Sequence, residues 1–195
     1  MKKMNSKSLL LPLELWIALT AVYGLALFAV GNYEVLSFIY HIGLLAIALW
    51  CAKGMLESGL GFRIGNWRYG IILVASFLGF LILHSVFYSW PTFAFTLDLA
   101  TFTTVFFAPI TEEIFWRGLI QQRMQSTKMD PLIIIITNAA GFAAMHIPKL
   151  LFFNETPFTF ISILFVGIVF SSIFYLTKSV YYSTATHMLE NIFTL

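Results

Sequence analysis

Long apolar stretches follow one another along almost the whole chain, and short polar breaks separate them. A helix needs about 20 mostly apolar residues to cross the hydrocarbon core of a bilayer. Seven stretches approach or exceed this length: Leu9–Val30, Val35–Ala52, Tyr69–Trp90, Leu97–Ile120, Pro131–Pro148, Pro157–Leu176 and Val180–Leu195. The sequence therefore predicts an all-α, polytopic transmembrane helix bundle of about seven spans, in which residues 1–195 form one integral membrane domain.

The overall composition also indicates that the chain is surrounded by membrane lipid. Hydrophobic residues make up 59% of the chain and charged residues only 10%, and the mean hydropathy is +0.88. Because soluble domains are about one quarter charged, membrane lipid is the expected partner of this surface and the cell membrane its expected location. The net charge of +2 and the lack of any basic run argue against nucleic-acid binding. Cys51 is the only cysteine, which excludes a disulfide framework and a thiolate metal cluster.

The lysines and arginines predict which way the bundle crosses the membrane. With a cytoplasmic N-terminus, nine of the eleven lie in cytoplasmic segments, namely Lys2, Lys3, Lys7, Lys53, Arg63, Arg68, Arg123, Lys128 and Lys178. Arg117 lies inside the fourth span, and Lys149 is the only one left outside. Cytoplasmic loops of membrane proteins carry an excess of these residues. An odd number of spans preserves the alternation, so we expect seven spans, a cytoplasmic N-terminus and a C-terminus outside.

The segment between the second and third spans is amphipathic. Within Gly54–Trp67, the apolar residues Met55, Leu56, Leu60 and Phe62 alternate with polar positions. This pattern predicts a short helix that lies in the membrane interface.

Ionisable side chains inside the predicted spans need a physical reason, because each costs about 2.5–3.5 kcal/mol at the centre of a membrane helix. Five of them stand alone or near span ends: Glu14, His41, His84, Asp98 and Glu190. We expect hydrogen bonds between helices, or access to the interface, to satisfy these groups without any role in chemistry. The remaining polar groups form three short clusters on the fourth, fifth and seventh spans.

The fourth span carries three charges within six residues, Glu112, Glu113 and Arg117. Residues four apart share one face of a helix, so Glu113 and Arg117 are predicted to form an ion pair that braces the helix. Glu112 is rotated about 100° from its neighbour and cannot lie on that face. It is therefore predicted to point into the bundle without a cationic partner, as a carboxylate that is free to act as a general base.

The fifth and seventh spans each carry polar residues along one helical stripe. Asn138, Phe142 and His146 are spaced by four residues, and the small residues around them allow another backbone to approach closely. His187 and Asn191 share a face of the seventh span in the same way. We expect these two stripes to meet the carboxylate of the fourth span inside the bundle.

Such a set of groups can hydrolyse an amide bond in two ways. In the first, His146 and His187, with Asn191 or Glu112, ligate a divalent metal such as zinc that activates water. In the second, Glu112 deprotonates the water directly, while the imidazoles and Asn191 stabilise the oxyanion. Two histidines are fewer than the three protein ligands usual for zinc, and the sequence leaves both mechanisms open.

Taken together, the three clusters resemble the motifs of the CPBP family of intramembrane proteases, which includes the type II CAAX prenyl endopeptidases and the Abi proteins linked to bacteriocin immunity. The family motifs read Glu-Glu-x-x-x-Arg, Phe-x-x-x-His and His-x-x-x-Asn. This chain has complete matches in the same order at Glu112–Arg117, Phe142–His146 and His187–Asn191. The resemblance covers residues 109–195. The first three spans carry none of these motifs and contribute only to the predicted membrane topology.

The resemblance implies an intramembrane endopeptidase that cuts a small membrane-associated peptide or a lipidated protein. The catalytic residues that it implies are Glu112, as the water-activating base, with His146, His187 and Asn191. The supporting residues that it implies are Glu113, Arg117 and Phe142. Members of the family have been described both as metalloproteases and as glutamate-dependent proteases, so metal dependence stays open.

One point of geometry separates this chain from the relatives that it resembles. Relatives of this type open their site to the cytoplasmic side. The predicted span boundaries place Glu112 and His187 near the middle of the membrane, and they place His146 toward its outer end.

Two other function classes are compatible with buried polar groups. A non-catalytic bacteriocin-immunity or membrane scaffold protein would bind a peptide within the bilayer and would not need an intact catalytic set. A proton-coupled transporter would use buried Glu and His side chains as a relay. The sequence lacks the two matched halves with broken helices that are typical of such transporters, which argues against the second class.

Overall fold

The computed structural model describes residues 7–54, 59–88 and 98–194, and every regular element within these ranges is helical. Apart from two single 3₁₀ turns, the described helices are α1 (Lys7–Val30), α2 (Tyr33–Cys51), α3 (Trp67–Tyr88), α4 (residues 99–125), α5 (Pro131–Ala144), α6 (Ile147–Phe152), α7 (Pro157–Thr177) and α8 (Val180–Thr194). The polytopic α-helical bundle predicted from the sequence is confirmed.

Local sequence signals set several of the helix ends. Asn32 and Asp98 cap α2 and α4, where their side-chain oxygens accept hydrogen bonds of 3.2 and 2.8 Å from backbone N–H groups three residues ahead. Asp130 caps α5 and is followed by Pro131, whose missing N–H costs nothing at the first helical position. Lys178 ends α7 in a left-handed conformation with a φ of 58°. The chain therefore reverses into α8 within two residues.

Five stretches of helix in the described ranges are long and apolar enough to cross a membrane: Leu9–Val30, Tyr33–Cys51, Trp67–Ser85, Pro131–Phe152 and Pro157–Thr177. They correspond to five of the seven predicted spans. The other two, α4 and α8, are helical as predicted but differ in kind. α4 carries three charges near its centre, and α8 has only 15 residues, about 22 Å of helix against a hydrocarbon core of about 30 Å. Both pack against several of the longer helices, which shield their polar groups from lipid.

α4 is a continuous helical rod that widens twice. Thr103–Phe107 and Ile114–Gln121 are π-helical, and α-helical segments flank them. Pro109 accounts for the first wide stretch, because it lacks an N–H and its ring crowds the carbonyl four residues earlier. The second wide stretch begins directly after Glu113, and π-helical turns recur at functional sites. The helix continues past the end predicted at Ile120, as far as Gln125.

The predicted fifth span is two helices rather than one. α5 ends at Ala144 and α6 begins at Ile147, with a turn between them. Pro148 lies in the first turn of α6, where its missing N–H and its ring prevent the hydrogen-bond pattern of α5 from continuing. His146 therefore lies in the turn, at the N-cap of α6, and not within a regular helix.

Parts of the remaining predictions fall outside the described residues. These include the predicted span ends at Trp90 and Leu97 and the residues 55–58 of the predicted interfacial helix. In the described part of that segment, Gly59–Gly61 forms one 3₁₀ turn and residues 62–66 are not helical. A continuous interfacial helix is therefore not present there.

The ring of Trp116 on α4 is tightly packed by neighbouring helices. The ring lies edge-on to Trp16 of α1, with centroids 5.0 Å apart. Its Nε1 donates a hydrogen bond to the sulfur of Met145 at 2.8 Å. Gly141 of α5 packs against the same ring, so closely that an added Cβ would overlap it. The small residues of α5 thus allow the close approach predicted from the sequence.

Gly141→Ala should destabilise the bundle, because its Cβ has to displace the Trp116 ring. Overpacking of a well-packed core costs about 1–3 kcal/mol, so the melting temperature of the detergent-solubilised protein should fall by several degrees. Gly79→Ala is the matched control, since a Cβ there meets nothing within 4 Å, and its melting temperature should not fall. Equal melting temperatures for the two variants would contradict the tight contact.

Candidate active site

A buried ion pair lies at the centre of α4. Arg117 Nη1 is 3.1 Å from Glu113 Oε1, and neither side chain is exposed to solvent. The pair joins residues four apart on one helix face, which confirms the pairing predicted from their spacing. Buried charges are tolerated only when each is paired and further hydrogen-bonded. Both partners indeed make contacts beyond α4.

Arg117 connects α4 to two other helices. Its Nη2 donates a hydrogen bond to the backbone carbonyl of Gly167 on α7 at 3.1 Å. Its guanidinium carbon lies 4.5 Å from the centroid of the Phe142 ring on α5, within the range of a cation–π interaction. Phe142, part of the second motif, therefore packs against this cation.

Glu113 connects α4 to α8 through His187. The Nδ1 of His187 lies 3.2 Å from Glu113 Oε1, and a carboxylate can only accept, so Nδ1 carries the proton and donates it. The imidazole also stacks on Phe170, with centroids 4.7 Å apart. Ring stacking and the hydrogen bond together fix the orientation of the imidazole. Its Nε2 is left facing the neighbouring carboxylate, that of Glu112.

Glu112 points away from the ion pair, as its position on the helix predicted. Its carboxylate lies between two imidazoles: Oε1 is 3.7 Å from Nε2 of His41, and Oε2 is 3.7 Å from Nε2 of His187. Both separations are too long for a direct hydrogen bond. Within the described part of the chain, Oε2 has no hydrogen-bond partner. A water molecule in either gap could bridge the Glu112 oxygen and the imidazole nitrogen on its two sides.

His146 and Asn191 approach the same space from the turn before α6 and from α8. Nδ1 of His146 lies 2.9 Å from the backbone carbonyl of Phe142 and donates to it, which leaves Nε2 available as an acceptor. Nδ2 of Asn191 donates to the carbonyl of Thr104 at 2.7 Å. A second amide proton and the side-chain carbonyl of Asn191 remain available.

These groups line one cavity of about 80 Å³, which has room for several water molecules. The structure brings all four predicted catalytic residues to its wall: Glu112, His146, His187 and Asn191. The predicted supporting residues lie outside this lining: Glu113, Arg117 and Phe142. The cavity wall also includes side chains that the motifs did not contain, among them Tyr33, Tyr40, His41 and Lys149.

A second, larger cavity adjoins this one, and a third adjoins the second. A cavity of about 360 Å³ shares with it the residues His146, Lys149, His187 and Asn191. A third cavity of about 500 Å³ shares with the second the residues Ser162, Val166, Glu190 and Thr194. The third is lined mainly by apolar side chains, including Phe77, Phe80, Phe158, Phe165 and Phe193. A series of adjoining spaces therefore leads from Glu112 to an apolar chamber.

His41 is a residue of this site that motif spacing did not identify as functional. It was expected to make an interhelical hydrogen bond, and its Nδ1 makes one with Thr111 Oγ1 at 3.0 Å. That its other ring nitrogen faces Glu112 follows only from the packing of α2 on α4. The one signal in the sequence was the cost of an imidazole in an apolar span.

Histidine, cysteine and carboxylate side chains of the described residues do not form a three-ligand metal site in this arrangement. Structural and catalytic zinc ions usually have at least three protein ligands, at about 2.0–2.3 Å. No group of three His, Cys, Asp or Glu side chains among the described residues is placed to hold one ion. His146 and His187, the possible metal ligands, therefore have no third His, Cys, Asp or Glu ligand placed with them among the described residues.

Comparison with known protein families identifies one match. A family model described as Type II CAAX prenyl endopeptidase Rce1-like matches residues 95–193. This segment is just over half of the chain and contains all three motifs, whereas α1, α2 and α3 precede it. Neither a curated protein nor a solved structure matches the chain significantly.

Arg117→Met should destabilise the protein strongly, because it leaves Glu113 buried without its cation. Breaking one partner of a buried pair costs about 3–5 kcal/mol. The double variant Glu113→Gln/Arg117→Met removes both charges and should recover part of that loss. Unfolding free energies in detergent micelles, arranged as a double-mutant cycle, measure the coupling. Arg68→Met, at an exposed position, is the control, and a coupling energy near zero would show that the pair does not brace the bundle.

Proposed function

Because the chain belongs to the Rce1-like type II CAAX prenyl endopeptidase family, we propose that it hydrolyses a peptide bond in a small membrane-associated or lipidated substrate. Family membership supports protease activity as a class. The observation that carries the proposed mechanism is the position of Glu112, a carboxylate only 4% exposed that lies between two imidazoles and faces a cavity of about 80 Å³. A general base must lie within hydrogen-bond reach of the proton it removes, and a water molecule bound in this cavity beside Glu112 would meet that condition.

In the proposed reaction, Glu112 removes a proton from a water molecule in the cavity. The water oxygen bonds to the carbonyl carbon of the scissile peptide, and the carbonyl electrons move onto its oxygen. The remaining amide N–H of Asn191 donates a hydrogen bond to this oxyanion and keeps its proton. The C–N bond then breaks as Glu112 passes the proton to the leaving nitrogen. The products are a carboxylic acid and an amine, and the carboxylate of Glu112 is restored.

The imidazoles of His146 and His187 complete the proposed site. Each presents Nε2 toward the cavity because its Nδ1 is already hydrogen-bonded, to a backbone carbonyl in His146 and to Glu113 in His187. In this state they accept hydrogen bonds from the water and from N–H groups of the substrate. Glu113 and Arg117 do not contact the substrate in this proposal. They act indirectly, because they hold His187 and α4 in place.

The adjoining cavities support a substrate that carries an apolar group. The chamber of about 500 Å³ is of the size of ligand-binding pockets, about 300–1,000 Å³. An aliphatic or prenyl chain bound there would lead its attached peptide through the middle cavity toward Glu112. Membrane lipid would fill the chamber in the absence of substrate.

Glu112→Gln should abolish cleavage while the protein still folds, because an amide cannot take the proton from water. The expected loss in kcat is about 100-fold or more. Purified protein is assayed with an internally quenched peptide that ends in a prenylated CAAX sequence, and with the same peptide without the lipid. Glu14→Gln, the same change at an exposed position of α1, is the matched control and should leave the rate unchanged.

An active Glu112→Gln protein would refute the role of this carboxylate. If the wild type cleaves neither peptide, and cells that express Glu112→Gln remain protected from a toxin peptide, the non-catalytic immunity or scaffold function is supported instead. Preference for the lipidated peptide would support the assignment of the apolar chamber.

A further inference from the structure

The catalytic cavity lies toward one end of the bundle. Its deep wall is formed by buried side chains, those of His41, Glu112 and His187. Tyr33, at the start of α2, and Lys149, in α6, are partly exposed on its rim. The ammonium of Lys149 lies 5.6 Å from the centre of the Tyr33 ring, so both belong to one opening. We call this end of the bundle the open end.

The half of the bundle beyond the ion pair, as far as the structure describes it, is packed shut. Leu119, Met124 and Phe174 are at most 3% exposed. Gln121 crosses the gap between α4 and α7 and donates a hydrogen bond to the carbonyl of Ser171 at 2.8 Å. A peptide that approached Glu112 from this side would have to displace the core. We call this the closed end.

The closed end carries nearly all of the positive charge on the described helix ends and loops. Its cations are Lys53, Arg63, Arg68, Arg123, Lys128 and Lys178. Two contacts hold them there: Arg123 Nη2 donates to the carbonyl of Cys51 at 2.6 Å, and Lys178 Nζ donates to Gln125 at 2.7 Å. At the open end, the described residues include one cation, Lys149.

Since cytoplasmic segments of membrane proteins carry the excess of lysine and arginine, we propose that the closed end faces the cytoplasm and that the catalytic cavity opens on the opposite side of the membrane. The substrate is then a membrane-bound peptide whose cleaved segment lies outside the cytoplasm. This substrate class rests on the proposed function, whereas the direction of opening does not. The direction is opposite to the cytoplasmic opening of the relatives that the motifs resemble, and it agrees with the outer position of His146.

Cysteine labelling in intact cells tests the direction. In a Cys51→Ala background, Lys149→Cys and Lys128→Cys place a thiol at the open and closed ends by the same substitution. A membrane-impermeant maleimide should label Lys149→Cys in intact cells and Lys128→Cys only after permeabilisation. Glu155→Cys, at an exposed position after α6, repeats the open-end measurement if Lys149→Cys does not accumulate. Labelling of Lys128→Cys, but of neither open-end thiol, in intact cells would overturn the proposal.

The substrate class needs a separate measurement. Right-side-out vesicles that contain the wild-type protein should cleave the quenched peptide added outside, and vesicles with Glu112→Gln should not. If the wild type cleaves the peptide in detergent but not from outside the vesicles, the substrate class is refuted while the proteolysis stands. Absence of cleavage in detergent would refute the proteolysis and leave the labelling result untouched.

A second inference rests on a different observation, the hydrogen bonds of His41. The hydroxyl of Thr111 lies 3.0 Å from the carbonyl oxygen of Ala108 and donates its single proton there. It therefore accepts from Nδ1 of His41. Nε2 of His41 then has no proton and faces Oε1 of Glu112, another acceptor, at 3.7 Å.

Two acceptors that face each other repel unless a donor lies between them. A water molecule can donate one proton to each, and its lone pairs then point into the cavity. We infer that His41 is a water-positioning residue, which holds the attacking water against Glu112 in the orientation that the proposed reaction needs. His41 lies outside the segment that matches the family model.

His41→Asn keeps a donor near Thr111 and removes the acceptor that faces Glu112. The variant should disturb the position of the attacking water but not the binding of substrate. Its kcat should therefore fall about tenfold or more with little change in KM. His41→Gln extends an acceptor toward Glu112 and should retain more activity than His41→Asn. An unchanged kcat for His41→Asn, while Glu112→Gln is inactive, would overturn this inference alone. Equal losses in both His41 variants, with a lowered melting temperature, would assign His41 a structural role only.

Discussion

The ion pair between Glu113 and Arg117 is the interaction on which the interior of the bundle depends. Both groups are fully buried, and an uncompensated charge in such surroundings is strongly destabilising. The surrounding helices supply the compensation: α7 offers the carbonyl of Gly167, α5 the ring of Phe142, and α8 the imidazole of His187. One pair of side chains thus fixes four helices relative to one another, and the cavity walls follow from that arrangement.

The same pair separates two adjacent carboxylates into different environments. Glu113 has a cation and an imidazole on one oxygen, whereas Glu112 faces the cavity with each of its oxygens 3.7 Å from an imidazole nitrogen. Carboxylates in contrasting surroundings commonly divide structural and chemical roles between them. The wide helical stretch that follows Glu113 is another local departure from regular structure at this point, of a kind that recurs at functional sites.

The bundle is also divided along the membrane normal. Large buried side chains and polar cross-links fill the end that carries the lysines and arginines, and the cavities occupy the other end. A water-filled cavity that reached both faces would weaken the barrier to ions, so a hydrolytic site in a membrane has reason to open on one side only. In the described part of this chain, all of the loop and helix-end cations except Lys149 lie at the packed end, and the cavities lie at the other end.

The sequence by itself determined the number and type of most helices. A helix that crosses a bilayer must be long and apolar, so its length can be predicted from the length of the apolar stretch. It also determined the pairing of Glu113 with Arg117 and the separate direction of Glu112, since both follow from helical periodicity. The break between α5 and α6 was not predicted, because the apolar stretch is continuous there and a single proline, Pro148, ends the hydrogen-bond pattern of α5. Only the tertiary structure decided that His41 faces Glu112 and which end of the cavity is open. Those facts depend on how α2 packs on α4 and on which side chains fill each end, and no local periodicity encodes contacts between residues 70 positions apart.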